Sequence, residues 1–145
     1  MARAKVKKSR RSDAERAGEH YLYNHYGCFP EQIIRAVRTM YQRQDLWASD
    51  VMGRDSNGKC YFAQVTAGQD EAVRVRRRKL EKINWNTFDH VMLLQVVETI
   101  DPANARKKLF FFRVHNYDHG NNVWSVEDTA EPVPRAWFKK LREEI

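Results

Sequence analysis

Residues Asp45–Gly68 read DLWASDVMGRDSNGKCYFAQVTAG, two strand-like runs separated by a turn signal. The spacing predicts strands at about 46–53 and 59–66. Asp55-Ser56-Asn57-Gly58 lies between them, and Asn-Gly favours the positive-φ geometry of tight hairpins. Both runs carry polar residues where a core strand stays apolar. In the first, Asp50 stands directly before Val51 and Met52; in the second, Tyr61, Phe62, Ala63 and Val65 surround Gln64 and Thr66. An aspartate on one strand beside a polar-x-polar triplet on the next is how a sheet sets metal ligands side by side.

Working outward, Ser12-Asp13 can cap a helix that carries Ala14, Ala17, Tyr21, Leu22 and Tyr26 and stops at Gly27, with Glu19 beside its aromatic face. Gln32–Met40 is rich in β-branched residues and predicts a strand. After the hairpin, Asp70 is placed to cap a second helix reaching about Asn84. This helix carries Arg74, Arg76, Arg77, Arg78, Lys79 and Lys82 around Val73, Val75, Leu80 and Ile83. His90–Val97 (HVMLLQVV) is apolar enough to be buried on both faces. Lys108–His115 and Val123–Val126 predict two more strands, Asp101–Lys107 a polar loop, and Pro134–Glu144 a closing helix with Trp137, Phe138 and Leu141 on one side. The order is helix, three strands, helix, strand, then a strand–strand–helix extension: an α/β sheet flanked by helices.

The chain's 145 residues make one domain, Asp13–Ile145, behind a basic arm, Met1–Ser12. Its 26 Lys and Arg against 19 Asp and Glu give a net charge of +7, which favours polyanionic partners. The arm's Lys7, Lys8, Arg10 and Arg11, with Arg74, Arg77 and Arg78 of the second helix, are the expected nucleic-acid contacts. No apolar run approaches the roughly 18 residues of a membrane span, and no secretory signal core is present, so a cytosolic protein is expected. Cys28 and Cys60 have no metal-type spacing and read as packed, reduced thiols.

The α-β-β-β-α-β order over roughly Asp13–Val97, with Asp50 on the second strand and Gln64-Val65-Thr66 on the third, resembles the PD-(D/E)XK nuclease superfamily. Archaeal-type Holliday-junction resolvases and restriction-endonuclease-like proteins are the most similar in style. The resemblance implies a restriction-endonuclease-like core acting on duplex or branched DNA with Mg²⁺ or Mn²⁺. Glu19, Asp50 and Gln64 then stand at the metal positions and Thr66 at the position of the catalytic lysine. The chain departs from the pattern twice. Gln64 offers a neutral oxygen where the family has a carboxylate, and Thr66 supplies no cation. Asp-Leu-aromatic before the Asp, then Gln-x-Thr-Ala-Gly and a basic helix, is similar to a looser group of phage-type sequences in which Gln-x-Thr is a variant of the site. Arg76 and Lys79, three residues apart on one helix face, are the residues placed to replace the missing lysine. The alternative is a nucleic-acid-binding module that kept the fold and lost the chemistry; a third reading is a purely structural or interaction protein.

His115 and His119 have i, i+4 spacing within turn-forming residues, which disfavours zinc. Alternation puts Phe111 on the face opposite Phe110 and Phe112, so one face of that strand needs covering, by the last helix or by a homodimer partner.

Overall fold

The computed structural model describes residues 10–35 and 48–139. Its elements run α1 (Arg10–Tyr26), β1 (Ile34–Arg35), β2 (Val51–Arg54), β3 (Cys60–Thr66), α2 (Asp70–Glu81), β4 (His90–Asp101), β5 (Asn104–Asp118) and β6 (Val123–Asp128), with 3₁₀ turns at Pro30–Gln32 and Arg135–Phe138. The strands form one mixed sheet in sequence order. Among the described strands only β3 and β4 pair in parallel, from Tyr61 opposite His90 to Thr66 opposite Gln95, and α2 is the crossover that parallel pairing requires.

Period-two alternation divides the sheet into two faces. Tyr61, Ala63 and Val65 of β3 join Val51, Met92, Leu94, Phe112 and Val114 on one face, under Ala14, Ala17, Tyr21 and Leu22 of α1. On the other face, Leu80 of α2 packs with Val91, Leu93 and Tyr117, and Trp85 leans on Phe62. Each fully buried Leu, Val or Phe contributes about 1.5–3 kcal/mol. α1 crosses the sheet at Gly18, where an added Cβ would lie 3.0 Å from the Val65 side chain. No helix among the described residues is long and apolar enough to cross a membrane.

Several elements differ from their sequence-based expectations. α1 starts at Arg10, so Ser12 and Asp13 lie inside it, and Asp13 pairs with Arg16 at 3.1 Å instead of capping. The described part of the first strand is Ile34–Arg35, preceded by the 3₁₀ turn; the rest of the expected strand lies outside the described residues. The N-cap of α2 is Gln69, which puts Asp70 in the first turn, where its charge favours the helix dipole. The expected loop 101–107 is mostly strand, because β4 and β5 continue as a hairpin whose turn is closed by Asp101 Oδ1 accepting from the Ala103 N–H. The closing helix is a single 3₁₀ turn in its described part. Trp137 there stacks on His20 and Phe138 meets Phe110 edge-on, so Phe110 and Phe112 are covered from within the chain.

Candidate functional site

The hairpin ladder continues one residue beyond β2: the Asp50 N–H donates to the Ala63 carbonyl at 2.9 Å. This places Asp50 beside β3 on the α2 side, opposite Val51. The Asp50 side chain is fully buried; its Oδ2 accepts from the Val65 N–H at 2.9 Å and lies 3.6 Å from Nη1 of Arg76. The same Nη1 donates to Gln64 Oε1 at 2.7 Å. One guanidinium nitrogen therefore holds both predicted ligand atoms, and a charge-assisted bond of that length is among the stronger polar contacts in a protein.

Gln64 is also fully buried, and its Nε2 donates to the Ala48 carbonyl. Ala48 has φ +60, a left-handed conformation that costs a non-glycine residue about 1 kcal/mol or more. The amide thus fastens the strained approach to Asp50 at one end and α2 at the other. Thr66 is buried on the same face, and its Oγ1 accepts from the Gly68 N–H at 2.9 Å, shaping the entry to α2. A Cβ at Gly68 would sit 2.6 Å from that of Ala72, so this turn excludes larger residues.

A second polar layer adjoins the first. Arg77 points inward: its Nη2 reaches His115 Nδ1 at 2.6 Å, its guanidinium lies 4.7 Å from the Trp124 ring centre, and its Nε is buried with no hydrogen-bond partner. A guanidinium only donates, so Nδ1 accepts and Nε2 carries the proton. Nε2–H then donates to Gln95 Oε1 at 3.0 Å, and Gln95 Nε2 donates to the Gly68 carbonyl at 3.1 Å. Burial, reinforced by the neighbouring Arg77 and Arg113, brings the His115 pKa down to about 4. His115 is therefore neutral near pH 7. Gln95 and His115 were missed as site residues, although each interrupts an apolar run, HVMLLQVV and FFFRVH, with a single buried polar group.

The basic residues of α2 fall into two sets. Arg76 and Arg77 face the sheet, whereas Arg74, Arg78 and Lys82 are exposed at four-residue spacing and form one stripe, with Arg74 also pairing with Glu71. Lys79 lies with Arg76, Gln69, Glu71, Ala72 and Val75 along an open groove of about 490 Å³. Of the other expected residues, Arg10 and Arg11 fall in the first turn of α1, and Lys7 and Lys8 lie outside the described residues. Glu19 pairs with Arg35 of β1 at 2.9 Å, and Glu15 is 4.0 Å from the same guanidinium.

Magnesium and manganese take hard oxygen donors with enough negative charge to offset the loss of hydration. Here Asp50 Oδ2 and Gln64 Oε1 share the Arg76 guanidinium, Glu19 is held by Arg35, and Gln64 carries no charge. As arranged, this donor set does not fit a divalent cation. Among the described residues no group of three or more His, Cys, Asp or Glu side chains is placed to hold a metal. Comparison with family models, with curated proteins and with solved structures gives no match.

Proposed function

We propose that this chain is a DNA-binding α/β module of restriction-endonuclease-like design, in which Arg76 supplies from within the protein the positive charge that a metal supplies in an active nuclease. The element order α-β-β-β-α-β and the parallel β3–β4 pair support the nuclease-like design. The observation that carries the reading is the division of α2: its inner guanidinium closes the Asp50–Gln64 site, while its outer stripe of Arg74, Arg78 and Lys82 faces solvent on a chain of net charge +7. A stripe of cations at helical spacing suits the phosphates of duplex or branched DNA.

Fluorescence anisotropy with a labelled duplex, repeated over a range of salt concentrations, tests this. Affinity should fall linearly with salt on logarithmic axes, and replacing Arg74, Arg78 and Lys82 together by alanine should reduce the slope by about three units, near 0.9 per phosphate released. Salt-independent binding, or none at low salt, contradicts the reading.

A metal-dependent endonuclease is the second reading, favoured because Asp50, Gln64 and Arg76 meet at adjacent strand ends where the nuclease resemblance expects a ligand pair and a cation. It requires Arg76 to leave both oxygens.

A further inference from the structure

The sheet ladders end at different heights. β3 stops at Thr66 opposite Gln95, and β6 pairs with β5 only between Arg113 and Asp118, yet β4 runs to Asp101 and β5 starts at Asn104. The outer part, Glu98–Asp101 with Asn104–Phe110, is paired in the sheet only within itself, and most of it is exposed; its register shifts between Ile100 and Asp101, so that Ala105–Lys107 bulge between the Lys108 and Asn104 pairings. At about 3.3 Å per residue, this two-stranded ribbon projects roughly 13 Å. It rises from the carboxyl ends of β3 and β4, the same end of the sheet as Thr66, Gly68 and the start of α2.

Its chemistry is equally distinct. Arg106, Lys107 and Lys108 are consecutive and exposed; Lys108 meets Glu98 at 3.1 Å, and Asp101 is occupied in closing the turn. Arg106 and Lys107 lie where the register shifts, out of the ladder and exposed near the tip of the ribbon. A two-stranded ribbon fits the major groove of B-DNA, about 12 Å wide and about 8.5 Å deep, and exposed cations near its tip suit the phosphates along the groove walls.

We propose that the β4–β5 ribbon is a DNA-gripping arm that enters the major groove of a duplex lying across the carboxyl end of the sheet. This deepens the DNA-binding reading and rests on it. Arg106 and Lys107 grip phosphates of the groove walls while the turn Asp101–Asn104 reaches toward the base edges.

The test combines anisotropy on a labelled duplex with dimethyl sulfate interference at guanine N7, which faces the major groove, using the full chain and the variant Arg106→Gln/Lys107→Gln. Wild type should show N7 interference; the variant, with an unchanged thermal melt, should bind about tenfold more weakly, with a salt slope smaller by about two and the interference lost. If wild type binds duplex but the variant matches it within twofold, or if interference is confined to minor-groove adenine N3, the ribbon assignment is overturned and the α2 stripe stands. If wild type binds no duplex at low salt, the DNA-binding reading falls and the ribbon assignment with it.

Discussion

The same strands present opposite chemistries on their two faces. Toward α1, Val51, Ala63, Val65, Met92, Leu94 and Phe112 form an apolar layer; toward α2, Asp50, Gln64, Thr66, Gln95 and His115 are buried nearly as deeply. Burial therefore does not distinguish core from site in this molecule. What differs is the kind of force: the apolar layer toward α1 depends on area removed from water, which is non-directional, whereas the α2 face adds to its apolar cluster of Leu80, Val91, Leu93 and Tyr117 a chain of oriented donors and acceptors ending in two guanidinium groups.

Truncation separates the two faces most sharply. Phe112→Ala opens a cavity in the α1 face beneath Tyr21 and should cost about 4 kcal/mol in urea denaturation, equally at pH 5 and pH 7. If that loss varies with pH, the two faces are not independent.

On the α2 face, Asp50→Asn preserves volume and an acceptor for the Val65 N–H but removes the Asp50 charge from beside Arg76. Removing one partner of a buried pair should cost about 3 kcal/mol, and Arg76→Met in the same chain should recover part of it. Strict additivity of the two changes in a double-mutant cycle contradicts the pairing.

His115 supplies the pH dependence. Its folded pKa, about 4, lies below the ordinary histidine value near 6.5, so between those values the unfolded chain binds the extra proton. Stability from this group is complete above about pH 6.5, declines as pH falls toward 4, and totals up to about 3 kcal/mol. Burial also lowers the His90 pKa, so His90 adds to the same slope. His115→Gln, able to accept from Arg77 and donate to Gln95, should flatten the His115 share while retaining most of the neutral-pH stability. An unchanged slope places the proton elsewhere. The smallest effect on folding belongs to the exposed stripe: Arg78→Ala and Lys82→Ala should each shift stability by less than about 0.5 kcal/mol, so any larger loss in DNA binding is a surface effect.

Strand alternation and the turn signal at 55–58 made the hairpin legible, and the basic helix after Gly68 made the crossover legible. Asp50 and Gln64 stand out in the sequence because polar residues break apolar runs, and Arg76 and Lys79 because both lie on one face of the basic helix that follows the triplet. Gln95 and His115 were hidden by the same logic, since one polar residue in a long apolar strand reads as noise until a partner appears across the sheet. Which arginines of α2 face inward was not legible, because consecutive arginines divide only when the helix is set at a particular roll on the sheet, here by Leu80. The length of the β4–β5 ribbon is hidden by its composition: Asp101–Lys107 has the polarity of a loop, yet the ladder resumes at Asp101–Asn104 beyond a bulge at Ala105–Lys107.

The proposal that Arg76 stands in the place of a metal between Asp50 and Gln64 can be tested on DNA. Its most direct test is incubation of the full chain with end-labelled duplex and branched DNA in Mn²⁺, at protein concentrations that saturate binding, beside Asp50→Asn. Bound but intact DNA is expected in both cases; Mn²⁺-dependent strand scission by wild type that Asp50→Asn abolishes would overturn the substitution of Arg76 for a metal.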